Sequence, residues 1–353
     1  MTPLPSAVPL ASPGGRSRSP RELTRRGFLL LAGLSLVACA EGSVPAISAA
    51  DQTARPTARS TTSPGSAARA SSPNPTPATT VRSVFPCAPL PSNSDRLAKV
   101  VREELGSRKG TFGVAIQRLD TGESYLQGGE RPFPSASLYK LSVLYEAGRQ
   151  ISLGRLTLDT KLTIKKEDVV ENEPLGGVDL DETYTLAAIL DRMIAVSSNA
   201  AAHCLLRTLG RPTINRSVAD LGLLDTKLTA PGVRTGVHDG EGDEVASTSP
   251  RDMLTFFRLL GNGSLLGAEA SKGMRDILLR QAMNDRLPSL LPPNTRVAHK
   301  TGELVAVRND AGIVYSPKGA YVIAVLASSV DEADATLAIA HLSRTVYDLF
   351  VSS

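Results

Sequence analysis

A chain of 353 residues with 41% hydrophobic side chains can bury one large core or two medium ones. Its 39 basic and 35 acidic residues give a formal charge of +4, but Arg16, Arg18, Arg21, Arg25, Arg26 and Glu22 all precede residue 39, and without them the balance is 34 to 34. A neutral remainder with no Trp and 4% aromatic residues argues against nucleic acid as a partner, by charge and by base stacking alike.

Residues 24–40, TRRGFLLLAGLSLVACA, join a basic front to a short apolar stretch and a small-residue end. That order is an export signal, too short to span a bilayer comfortably. Arg25-Arg26 before GFLL is similar to a twin-arginine signal, and the choice of export route stays open. Leu36-Val37-Ala38-Cys39 resembles a bacterial lipobox. On that reading Cys39 carries lipid, and the protein is anchored to the outer face of a bacterial membrane. Cys87 and Cys204 then remain, either as a disulfide or as two separate thiols. Residues 40–90 are mostly Ala, Ser, Thr and Pro with scattered Arg, a composition that cannot bury enough apolar area to order itself. They are expected to be a flexible tether, with the folded domain over 91–353.

Within that domain Ser92, Asn93 and Ser94 offer caps to a helix whose apolar positions are Leu97, Val100, Val101 and Leu105. TFGVAIQRLDTGESYLQ predicts two strands about the turn Asp120-Thr121-Gly122. A helix is expected from Ser137, and residues 157–224 read as mostly helical. Residues 231–249 read as a long Gly- and Asp-rich loop. Two helices, three strands (TRVAHKTG, AGIVYS, AYVIAVLASS) and a last helix complete the chain. Strands at both ends with helices between predict one sheet built from both termini, with a helical subdomain inserted.

Ser137 and Lys140 stand three apart at the start of an apolar helical run, so they share one helix face. Serine needs a base to become a nucleophile, and a lysine can serve if burial or a nearby cation lowers its pKa. Two further stretches, Ser197-Ser198-Asn199 between helical runs and Lys300-Thr301-Gly302 on a strand, complete an ordered set. Ser-x-x-Lys, Ser-x-Asn and Lys-Thr-Gly in this order resemble the class A β-lactamases and the penicillin-binding proteins. The resemblance runs over about residues 92–350.

It implies an α/β (α+β sandwich) fold of the β-lactamase/transpeptidase-like type, an antiparallel sheet flanked by helices plus an inserted all-α subdomain. It implies a catalytic group of Ser137 as nucleophile, Lys140 as base, Ser197 as proton relay and Asn199 as holder of Lys140 and the substrate amide. Lys300 and Thr301 would bind a substrate carboxylate. Gly302 would let an acyl group lie close along the strand, and the N–H groups of Ser137 and Glu303 would form an oxyanion hole. Arg308 would assist the carboxylate or serve only as a strand arginine. A β-lactam or a peptidoglycan-like substrate and no cofactor follow from the same resemblance; a monomer is expected, and the lack of a His-Glu-x-x-His or paired-cysteine pattern argues against a metal. His203, His238, His299 and His341 are scattered, and His299 should face away from Lys300.

The pattern departs from class A β-lactamases in one region. Their deacylating glutamate lies in an Arg-x-Glu-x-x-Leu-Asn run, where this chain has Ala230-Pro231-Gly232. Asp239, Glu241, Asp243 and Glu244 come several residues late and read as solvated charges. Ser198 replaces an aspartate usual in those enzymes, and Glu303 replaces a small or hydroxyl residue, placing negative charge beside a carboxylate site. Three functions therefore stay open: a β-lactamase-like hydrolase; a D,D-peptidase, esterase or amidase; and a lipid-anchored binding domain without catalysis.

Overall fold

The computed structural model describes residues 94–170, 173–229 and 246–352. The export signal, the tether, Cys39, Cys87, Ala230-Pro231-Gly232 and the acids between 239 and 244 lie outside the described residues.

In chain order the elements are α1 (Asp95–Leu105), β1 (Thr111–Arg118), β2 (Ser124–Gln127), β3 (Phe133–Pro134), α2 (Lys140–Ser152), β4 (Lys161–Thr163), β5 (Thr183–Thr185), α3 (Leu186–Ala195), α4 (Asn199–Leu209) and α5 (Arg211–Asp220). They continue through β6 (Lys227–Leu228), β7 (Ala246–Thr248), α6 (Pro250–Gly261), α7 (Ala268–Leu278), β8 (Arg296–Leu304), β9 (Val307–Ser316), β10 (Gly319–Ser328) and α8 (Glu332–Val351). A 3-10 turn, Ala136–Tyr139, leads into α2.

One antiparallel sheet of order β2-β1-β10-β9-β8 organises the molecule. Its strands come from the two ends of the described chain, as the sequence predicts, and everything between β2 and β8 in the chain is insertion. The period-2 alternation of β10 divides the core. Val322, Ala324 and Leu326 face a cluster with α2, α3, α4 and α6, while Tyr321, Ile323, Val325 and Ala327 face α1 and α8. In α1 the buried residues are Leu97, Val100, Val101 and Leu105, the apolar stripe read from sequence.

The inserted part is not all helix. β4 pairs with β5, and β7 lies between β3 and β6 in a second small sheet. These strands have two or three residues each, too few to show alternation in sequence. Pro317 and Lys318 form the turn before β10. Asp252, in the first turn of α6, is buried and accepts hydrogen bonds from the Asp225 N–H (2.8 Å) and Thr226 Oγ1 (2.7 Å). Burial pushes its carboxyl up to about 6. Cys204 is a buried free thiol in α4, its Sγ 3.7 Å from the Thr163 carbonyl, and burial pushes its pKa up to about 11. Among the described residues no helix is long and apolar enough to cross a membrane.

Candidate active site

The segment that carries Ser137 is pinned from several sides. Phe133 and Pro134 pair with β7, and Ser135 N–H donates to the Ala246 carbonyl at 2.8 Å. Asn309, on β9, donates its amide to the carbonyls of Pro134 (2.9 Å) and Ser135 (3.2 Å) while its Oδ1 accepts Ala327 N–H at 3.0 Å. Ala136 takes φ 47, a left-handed conformation that costs energy for any residue with a Cβ. The chain can then enter the 3-10 turn with Ser137 half-buried at its second position. Lys140 follows as the first residue of α2 and is fully buried.

The Ser197-Ser198-Asn199 stretch joins α3 to α4. Ser197 also takes a left-handed φ, 56. Ser198 caps α4 by accepting Ala201 N–H at 3.2 Å, and its hydroxyl donates to the Leu175 carbonyl at 2.6 Å. A serine side chain therefore supplies the N-cap of α4. Lys140 Nζ donates to Asn199 Oδ1 (2.6 Å), to the Ser197 carbonyl (2.6 Å) and to Ser197 Oγ (3.1 Å). From the sheet side, Lys300 Nζ donates to the same Ser197 Oγ at 3.1 Å and to the Thr301 carbonyl at 2.8 Å. One hydroxyl thus stands between two buried lysines. Burial, only partly opposed by Asp310 and reinforced by Arg286, brings Lys300 down to about 7.

The structure places Lys140, Ser197, Asn199 and Lys300 in one connected group, with Ser137 one turn before Lys140. Thr301 lies next on β8, its Oγ1 3.5 Å from Met283 Sδ. Gly302 has a reason in packing. A Cβ there would stand 2.8 Å from the Ser135 carbonyl and 3.3 Å from Leu138 N, so the missing side chain lets β8 pack on the turn that holds Ser137. His299 faces away from Lys300, with Nδ1 2.9 Å from Asp310 Oδ1 and Nε2 3.1 Å from Asn284 Oδ1.

Arg308 is not brought to this group. Its guanidinium holds the carbonyls of Leu304 (3.0 Å) and Val307 (2.8 Å) and pairs with Glu332 at the start of α8. It ties the β8–β9 hairpin to a helix, which corrects the carboxylate-binding expectation. Glu303 is corrected in part: its carboxylate is paired with Arg286, a side chain 1% exposed, and is not a lone negative charge. Sequence reasoning missed Arg286 and also Glu173, whose Oε2 accepts Asn199 Nδ2 at 2.6 Å. Neither belongs to a motif, and each reaches the site from an irregular segment. Among the described residues no group of three or more His, Cys, Asp or Glu could hold a metal ion.

A serine at a helix entry, a buried lysine one turn on, and a hydroxyl bridging that lysine to a second cation define a serine hydrolase of the Ser-x-x-Lys type. Residues 95–350 match the model of the β-lactamase enzyme family, and the chain belongs to that family. A β-lactamase of Streptomyces cellulosae is 27% identical over 252 residues, 69% of this chain and 80% of that protein. The CARB-4 β-lactamase of Pseudomonas aeruginosa is 24% identical over 266 residues, 72% of this chain and 89% of that protein. Among solved structures, PBP-A superposes with a TM-score of 0.67 at 28% identity over 75% of this chain and 100% of its own. An ancestral class A β-lactamase gives 0.65 at 26% identity, over 72% and 100%. A mutant of PBP-A, 27% identical with a TM-score of 0.66 over 75% and 100%, is an acyl-enzyme complex with penicillin G.

Proposed function

We propose that this protein is an exported, lipid-anchored hydrolase that opens a β-lactam or related amide through an acyl-enzyme on Ser137. The observation that carries the reading is Ser197 Oγ, 3.1 Å from both Lys140 Nζ and Lys300 Nζ. In the proposed cycle Ser137 Oγ attacks the carbonyl carbon and its proton passes to Lys140. The oxyanion is held by the N–H groups of Ser137 and Glu303. Ser197 Oγ passes a proton from Lys140 to the leaving nitrogen as the C–N bond breaks, and Lys300 keeps that hydroxyl polarised. Water then cleaves the ester and returns Ser137. The export and anchor reading rests on residues 24–40 alone.

A second reading, a penicillin-binding peptidase that keeps its acyl group, is favoured by one feature. Residues 230–232, Ala-Pro-Gly, contain no carboxylate where class A β-lactamases place the deacylating one. The test is incubation with a chromogenic cephalosporin and a fluorescent penicillin. Sustained turnover establishes the hydrolase, and a stable one-to-one label establishes the second reading. Ser137→Ala is expected to abolish either signal; a variant that still labels removes Ser137 from the mechanism.

A further inference from the structure

We propose that Glu303 is a resident carboxylate that turns the β8 end of the cleft against anionic substrate groups and toward uncharged ones. This deepens the acyl-enzyme reading and rests on it. The Arg286 side chain is 1% exposed and carries a charge that cannot be discarded. Its Nε has no hydrogen-bond partner, its Nη1 is 3.4 Å from the Asn309 carbonyl, and Asp285 stands 3.6 Å off with its side chain 53% exposed. Glu303 is the carboxylate in direct contact with it. The Glu303 side chain is 45% exposed and so partly screened by water, but its partner is buried, and separation would leave that guanidinium with Asp285 alone.

The position of the pair gives it a function. Thr301 and Glu303 are two apart on β8, so their side chains fall on one face of the strand. Lys300, the neighbour of Thr301 on β8, feels both members of the pair: Arg286 disfavours its charge and Glu303 favours it. A carboxylate approaching Thr301 meets a like charge two residues along the strand on the same face. It can reach Arg286 only by displacing Glu303, which leaves one carboxylate unpaired. An ester or amide group accepts from Thr301 without either penalty. The same strand without Glu303 would present a net cationic wall.

The experiment measures second-order acylation rates with a chromogenic cephalosporin and with the methyl ester of its ring carboxylate, reagents that share acyl group and chromophore. The wild-type protein is expected to react with the ester about tenfold faster than with the free acid. Glu303→Gln is expected to reverse that order. A wild type that prefers the free acid, or a folded Glu303→Gln with an unchanged ratio, overturns the proposal and leaves the hydrolase reading standing. If the variant fails to fold, the wild-type ratio decides. If neither reagent acylates the wild type, the hydrolase reading falls and this proposal falls with it.

Discussion

Lys300 shows how one residue can carry opposing demands. It is fully buried, hydrogen-bonded to Ser197 Oγ and brought down to about 7. The native state therefore binds fewer protons than the unfolded state between about pH 7 and the ordinary lysine range. Stability from this residue should rise as pH climbs through that window, because the unfolded chain alone retains the proton. Urea midpoints at pH 7 and pH 9 are expected to climb more in the wild type than in Lys300→Met; equal slopes would refute the buried-charge account. The Lys300, Ser197 and Asn199 positions were legible because short motifs fix residue types at fixed spacing. Arg286, Glu173 and Asn309 were not. Their partners lie 17, 26 and 175 positions away, at Glu303, Asn199 and Pro134, and no local pattern encodes such pairings.

At the scale of elements, the turn at Ala136–Tyr139 and strand β8 behave as one unit through Gly302. Gly302→Ala would push a methyl group to 2.8 Å from the Ser135 carbonyl. The backbone must move apart, at about 1–3 kcal/mol of stability. Acylation should fall by at least about tenfold, since misplacing the nucleophile by an ångström carries that order of loss. Paired thermal melts and acylation rates check this, and an unshifted melt with a normal rate would show that the turn has room to give. The long elements were visible in sequence: α1 by its helical apolar spacing, β1, β9 and β10 by apolar runs of strand length, and α8 by its long apolar stretch near the end of the chain. The 3-10 turn that holds Ser137 reads in sequence as the start of a regular helix, because a left-handed φ at an alanine has no compositional signature. The β4–β5 pair was hidden for a similar reason, its strands being shorter than one full alternation.

At the scale of the molecule, the sheet separates the cluster built around α2, which follows Ser137, from the one packed by α1 and α8. Phe350 of α8 is 1% exposed and packs edge-on against Tyr321, ring centroids 5.0 Å apart, in the cluster opposite α2. Phe350→Ala is expected to cost about 3–5 kcal/mol of stability. Its acylation rate per folded molecule should stay within about twofold of wild type, because the cavity opens on the side of the sheet away from Ser137. Denaturant unfolding together with active-site titration separates the two effects, and a large rate loss among folded molecules would mean that the faces are coupled. Cys204 has a practical consequence for such measurements. With its thiol sealed inside α4 and held far from ionisation at neutral pH, it is a poor target for maleimides and related dyes while the helical half stays closed. A fluorophore attached through a cysteine engineered on the surface of this domain would report from its own position, with the native sulfur silent.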